Sequence, residues 1–461
     1  MKLMKARNID LSSGPMIPRM LLFMLPLIGG SIFQQLYNTA DFLFVGNLLD
    51  KHAAAAVGVA GTVTYCAIGM FMGISVGTNV VAARYVGEKN EAKVKKVLNT
   101  SMSFAFIFGV LMMILAVIFT PQIYTLLNTP ADVLVDATRY TRIFFLSLPF
   151  MIIYNMGSGF FRARGNSSTP FWILVICGFL NVALDAFFLI VVPLGINGVA
   201  FSTVFSQMFS AALTVAGLMR SDPFPMKVFV TWAIDRETLA SILRVGLPAG
   251  IQTVLITVSN VMVQYHINGF GGTAVAAFAT YYKLENFVYL PIMAISQTVT
   301  TFVAQNDGAG NYPRLWRGTV FAVLFSAAVT AVIAGLIVIF PKTVFGWFIR
   351  SDDVVAAAIS IGLVTLPFYW LSALGETLGG AVRGLGYALT SMVVVVTCLC
   401  GWRILLLTLL AQHTHTLEDI ARVYPESWAP VAVAFAVIFC VIFRRRRKER
   451  AKADLEAVRE S

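Results

Sequence analysis

Residues 281–311 read YYKLENFVYLPIMAISQTVTTFVAQNDGAGN. After Lys283 and Glu285 no charge appears until Asp307. Such a run can cross a bilayer as one helix, which takes roughly 20 mostly apolar residues. Its polar end has a counterpart much earlier in the chain, in GISVGTNVVAARYVGEKN at 73–90. At a shift of 222, Thr78 meets Thr300 and Ala82 meets Ala304; after one deleted residue, Gly87 meets Gly308 and Asn90 meets Asn311. Working outward, Pro26 meets Pro248 and Asn38 meets Asn260 at that same shift. Leu148-Pro149-Phe150 meets Leu366-Pro367-Phe368 at 218, and Arg164-Gly165 meets Arg383-Gly384 at 219. Nearly constant offsets over so long a stretch mark an internal duplication.

The chain has 461 residues, 58% apolar and 12% charged, against about 25% charged in a soluble domain. Too few charges remain to coat a water-facing surface, so soluble enzymes, nucleic-acid binders and disordered chains are excluded. Twelve apolar stretches are placed at about 20–48, 54–83, 95–120, 132–160, 169–192, 196–219, 240–268, 273–304, 315–340, 354–381, 388–411 and 427–443. With twelve spans both termini share one side. Of 34 basic residues, 26 fall on that side, four opposite (Lys51, Lys342, Arg350, Arg422) and four within spans (Arg139, Arg142, Lys283, Arg403). The positive-inside rule then predicts cytoplasmic termini in a cell (inner) membrane. The net charge of +11 thus reflects topology, and the tail RRRRKERAK is read as an anchor to anionic headgroups. No cleavable signal is expected, since the first apolar run is too long for one. The cysteines Cys66, Cys177, Cys398, Cys400 and Cys440 all sit in apolar runs and read as packing residues rather than a disulfide framework.

Six spans per half return the chain to its starting side, so the halves share one orientation. The expected fold is an all-α integral membrane protein, with twelve helices in two six-helix lobes and a pseudo-twofold axis along the membrane normal. The lobes are placed at 1–219 and 240–443, with a cytoplasmic connector at 220–239 and a basic tail at 444–461. Parallel repeats of this kind suit alternating access.

The 281–311 stretch, its counterpart at 73–90, and the turns RARGNSSTP and AVRGLG after spans four and ten together resemble the multidrug and toxic compound extrusion (MATE) family. The resemblance runs from about Met16 to the last span. The acid of span one and the Asn181/Asp185 pair of span five resemble its DinF-like branch. It implies export of amphipathic, often cationic compounds in exchange for protons or sodium ions, through a cavity between two six-helix lobes.

A charge at the bilayer centre costs about 2.5–3.5 kcal/mol even on the lenient insertion scale, so acids inside spans are candidates for function. Asp41 stands first, on one helical face with Gln34, Tyr37 and Asn38. Asn181 and Asp185 are four apart and share a face of span five. Two acids drawn together in an apolar cavity would have at least one proton held more tightly, and could load and release it near neutral pH. The other reading of both is a hydrogen-bond network that fixes helix packing. The family resemblance implies that Tyr140 and Asn155 on span four and Thr203 on span six complete this site. Pro26 removes a backbone hydrogen bond on span one and is read as a hinge through which protonation of Asp41 reshapes the first lobe.

The second half carries a different set: Lys283 and Glu285 on span eight, Glu376 on span ten and Asn260 on span seven. Lys283 and Glu285, two apart, should each find a partner on another span. Glu376 could pair with Lys283 or with Arg403. An ion pair and a cation site are both open there. His413 and His415, near Glu418 and Asp419, read as a solvated loop rather than a metal site. No P-loop and no HExxH occurs, so neither an ATPase nor an intramembrane enzyme is expected. No cofactor and no nucleic acid is expected; the partners are the bilayer and small amphipathic substrates, and a monomer is expected. The coupling ion is read as H+, with Na+ as the alternative. A further alternative is an exporter or flippase of a lipid-linked or polar precursor with the same architecture.

Overall fold

The computed structural model describes residues 8–460 apart from 49–50, 128, 223–228, 230–232, 350 and 411–415. Inside helices it describes no side chain at 38, 40–48, 51–54, 62, 131–132, 410, 453–455 or 457–460. The chain is all-helical among the described residues and divides into two compact units. Eleven helices are long and apolar enough to cross a membrane, or twelve when one bent pair counts as a single span.

The first unit holds Met1–Asp10 and Leu25–Gly250. It contains most of α1 (Met16–Leu48), then α2 (Lys51–Gly87), α3 (Glu91–Leu126), α4 (Ala131–Phe145), α5 (Leu148–Ala163) and α6 (Ser168–Ala186). A π-helical segment (Phe187–Val191), α7 (Ile196–Ser221) and the opening of α8 (Arg236–Asn268) complete it. The second unit holds Leu11–Met24 and Ile251–Ser461. After the rest of α8 come α9 (Gly272–Gly308), α10 (Tyr312–Ile339), α11 (Pro341–Gly346) and α12 (Asp352–Thr365). A 3-10 turn (Leu366–Phe368), α13 (Tyr369–Gly384), α14 (Ala388–Val394), a π segment (Val395–Gly401), α15 (Trp402–Leu410) and α16 (Leu417–Glu460) follow.

The helices beginning at 51, 91, 131, 148 and 196 have partners beginning at 272, 312, 352, 369 and 417, each 221 residues on. The details repeat at that interval. Asn90 caps α3 by accepting from the Lys93 N–H at 3.1 Å, and Asn311 caps α10 by accepting from the Arg314 N–H at 3.2 Å. The turns before them hold Lys89 and Gly310 at positive φ, as the turns after α5 and α13 hold Gly165 (78°) and Gly386 (88°). The duplication therefore stands, but several expected pairings shift. Thr78 opposite Thr300 and Ala82 opposite Ala304 are out by one residue, Arg164-Gly165 opposite Arg383-Gly384 by two, and Leu148-Pro149-Phe150 opposite Leu366-Pro367-Phe368 by three. The left-handed turn position sets the register, and it aligns Arg162 with Arg383 and Gly165 with Gly386.

The Leu-Pro-Phe tripeptides mark the breaks in spans four and ten. Helices α4 and α5 meet at 48°, with Pro149 in the first turn of α5, where its missing N–H costs nothing. Leu366–Phe368 forms the 3-10 turn that precedes α13. Helix α16 is much longer than the expected 427–443 span. It starts at Leu417, where Thr416 and Asp419 bond reciprocally through side chain and backbone N–H. Glu418 and Asp419 thus serve a helix start, and His413 and His415 lie outside the described residues. The basic tail continues the same helix, and Arg446 stacks over the Tyr387 ring at 5.5 Å.

The first turns of α8 belong to the first unit because two glycine pairs let backbones meet. A Cβ on Gly73 would lie 2.1 Å from the Gly250 nitrogen, and one on Gly77 would lie 2.1 Å from the Ile242 carbonyl oxygen. A Cβ on Gly246 would lie 2.7 Å from the Ile74 Cα, and one on Gly250 2.7 Å from the Met70 carbonyl oxygen. These are small-xxx-small motifs on both helices, the usual means of close helix approach where lipid offers no hydrophobic drive. Helix α8 passes to the second unit after Gly250, beside Pro248, and α1 passes to the first after Met24, beside Pro26.

Candidate transport site

Asp185 ends α6 fully buried, and the Ser202 hydroxyl of α7 donates to its Oδ1. A buried carboxylate requires such donors, because transfer from water without compensation is prohibitive. The chain leaves the α-helix two residues later in the Phe187–Val191 π segment. Segments of this kind recur at functional sites. Asn181, one turn earlier, is also buried. Tyr37 packs on the same helix: a Cβ at Gly178 would lie 3.4 Å from its ring. Tyr140 of α4 is buried in one apolar cluster with Val199 and Ala200 of α7, a turn or less from Ser202. The structure thus gathers Tyr37, Asn181, Asp185 and Tyr140 around α6 and α7.

Two expected members use their side chains elsewhere. Thr203 bonds the Val199 carbonyl of its own helix at 3.2 Å, so Ser202, about 100° away round α7, faces Asp185 instead. Asn155 donates to the Met151 carbonyl at 2.8 Å, also within its own helix. Asp41 and Asn38 lie in α1, but their side chains are outside the described residues. Pro26 lies inside α1. Ser202 was legible in principle: Ser202, Ser206, Ser210 and Thr214 form a buried polar stripe at four-residue spacing.

The second unit buries two separate polar groups. Tyr369 donates to Glu285 Oε1 at 3.0 Å. Arg403, 3% exposed, donates to Asn260 Oδ1 at 3.0 Å and to Ser427 at 3.3 Å, with its guanidinium 4.6 Å from the Tyr424 ring centre. The Tyr424 and Tyr282 hydroxyls meet at 2.5 Å. Glu376 pairs with neither Lys283 nor Arg403. Its partner is Arg383, two turns on along α13, at 2.6 Å. The Ser296 hydroxyl donates to both the carboxylate and the backbone carbonyl of Glu376. Side chains seven apart lie on one face of a helix, which a search for inter-span partners passes over. Lys283 is exposed and makes no ion pair among the described residues.

Two six-span helical units built on one repeat, each burying ionisable groups inside its spans, define a polytopic membrane transport protein. The chain belongs to the MatE family, whose model matches residues 26–187 and again 248–409. A probable multidrug resistance protein of Bacillus subtilis, YoeA, is 28% identical over 432 residues, covering 92% of each chain. The multidrug export protein MepA of Staphylococcus aureus is 25% identical over 374 residues, covering 81% of this chain and 82% of its own. A MOP superfamily transporter from Pyrococcus furiosus has the same fold, with a TM-score of 0.89 at 20% identity, covering 96% of this chain and 99% of that one.

Proposed function

We propose that this protein is a secondary active multidrug exporter, moving amphipathic, often cationic compounds out in exchange for protons by alternating access. Asp185 carries the reading: a fully buried carboxylate in a membrane span, met by the neutral hydroxyl of Ser202. Either a proton or a cation can neutralise the charge of such a group. Asp41, on α1, which packs against α6 at Gly178, is the second acid of the exchange. Binding of a cationic substrate and of a proton would then exclude each other, which is the condition for antiport. Multidrug names among the relatives of similar length support the substrate class. The protein would act as a monomer in the cell membrane with cytoplasmic termini, and without a cofactor. In the second unit the Glu376–Arg383 pair supports a structural role for that acid, whereas Glu285 is met by the Tyr369 hydroxyl.

Ethidium efflux from inside-out or reconstituted vesicles, driven in turn by an imposed pH gradient and by a sodium gradient, tests this. Transport under the pH gradient alone is expected, together with its loss in Asp185→Asn. Transport driven by sodium alone would replace the proton with the alternative ion, and no transport under either would remove the reading.

A further inference from the structure

The repeat exposes a difference that neither half shows alone. Arg162 and Arg383 hold the same place in the fold, in the last turns of α5 and α13, 221 residues apart. Each donates to the serine of the same position, Arg162 to Ser75 at 3.2 Å and Arg383 to Ser296 at 3.0 Å. Each serine in turn donates to a backbone carbonyl at the same place, that of Asn155 or of Glu376. Gly159 and Gly380 press on those serines alike, a Cβ meeting the serine carbonyl oxygen at 2.6 and 2.7 Å.

The resemblance then stops. Arg383 also takes the Glu376 carboxylate at 2.6 Å and Ser391 at 3.4 Å. At those places the first unit has Asn155 and Pro170. Asn155 spends its amide on Met151, and proline offers no side-chain partner. Arg162 is left with Ser75 as its hydrogen-bond partner, and pairs with no carboxylate among the described residues. The residue as a whole is half-buried. A guanidinium held inside a helical bundle calls for a counter-charge, and its planar fork is suited to a carboxylate.

We infer that Arg162 and Ser75 form an anion subsite in the first unit, which takes the carboxylate of zwitterionic amphiphiles. The inference rests on the export reading above for the identity of the ligand, and narrows it. Compounds with a positive amine and a carboxylate would place the carboxylate on Arg162, while a purely cationic compound would leave this subsite unused.

The test is binding of norfloxacin and of its methyl ester, which lacks the negative charge, to the purified full-length protein. The free acid is expected to bind about tenfold tighter or better, the scale of one charged hydrogen bond. Arg162→Gln should bring the ratio of the two affinities near one, and Arg162→Lys should keep part of it. Asn155→Glu should abolish the preference as well, by supplying in the first unit the carboxylate that Arg383 already has in the second. Because that pair is accommodated by the same local fold, this variant guards against a folding failure of Arg162→Gln. No preference in the wild type, or one that survives in Arg162→Gln or Asn155→Glu, overturns the inference. Displacement by chloride with no acid preference would make this a small-anion site and overturns it too. Vesicle efflux is read separately: absence of efflux of either compound sinks the export reading, while the acid-to-ester ratio still decides the subsite.

Discussion

Replacing Glu376 with Ala strands Arg383. The carboxylate and guanidinium are 2.6 Å apart with side chains 20% and 11% exposed, so the loss is that of a largely buried pair. Removing one partner of such a pair costs about 3–5 kcal/mol. Arg383 keeps Ser296 and Ser391, and a fifth of the Glu376 side chain already sees solvent, which favours the lower end, about 3 kcal/mol. For a unit of roughly 200 residues, each kcal/mol moves the melting temperature by about 2–4 °C, so a fall of about 6–12 °C is expected. Asn155→Ala is the matched control at the equivalent position. It loses a same-helix bond worth about 0.5–1.5 kcal/mol, and should fall by less than about 6 °C. Each unit has a buried free cysteine, Cys177 in the first and Cys400 in the second. Thermal exposure to a thiol-reactive dye, with the other cysteines replaced, therefore reports on one unit at a time. A Glu376→Ala protein whose Cys400 becomes reactive within about 2 °C of wild type would refute the view that this pair holds the second unit together.

Four other outcomes follow from the geometry. Ser202→Ala removes the hydroxyl on Asp185 and should shift the pH dependence of ethidium efflux, whereas Thr203→Ala, losing a same-helix bond, should shift it less. Gly73→Ala puts a methyl group 2.1 Å from the Gly250 backbone, which cannot yield as a side chain would, so folded protein recovered by size-exclusion chromatography should drop sharply. Asp235 caps α8 through the Thr238 N–H and hydroxyl and bridges Lys96 at 2.8 Å. These bonds, that to Lys96 foremost, hold its carboxyl down at about 2 from an ordinary 3.8. Its contribution is therefore complete above about pH 4 and is lost as pH falls toward 2; hydrogen exchange at residues 236–239 should accelerate over that window, and Asp235→Asn should remove the dependence. Arg164 gathers Glu91 from α3 and Asp222 beyond α7, so Arg164→Gln should make the 86–91 turn more open to protease.

The membrane fold was legible because apolar runs of spanning length and the basic-residue bias are properties of local sequence. The duplication was legible too, but its register at the RARG turn was not. Identical letters align Arg164-Gly165 with Arg383-Gly384, while the left-handed turn needs glycine at 165 and 386. Asp185 and Asn181 could be read as a shared face from their spacing. Ser202 stood in a four-residue polar stripe with Ser206, Ser210 and Thr214, and was passed over for Thr203, which the family resemblance implied. The Glu376–Arg383 pair was missed because partners were sought on other spans, when the carboxylate reaches along its own helix. The glycine crossing of α2 and α8 joins residues about 170 apart, and no local pattern reports such a meeting. Nor does composition reveal a π segment, which depends on how a span fits its neighbours.

Proton counting most directly tests the exchange at the centre of the proposed function. Ethidium would be added to the detergent-solubilised protein in weakly buffered solution, and the pH change recorded against added dye. Wild-type protein should release protons as the cation binds, and Asp41→Asn/Asp185→Asn should release none. Equal proton release by both proteins, with equal dye bound, would contradict the assignment of the exchange to these carboxylates.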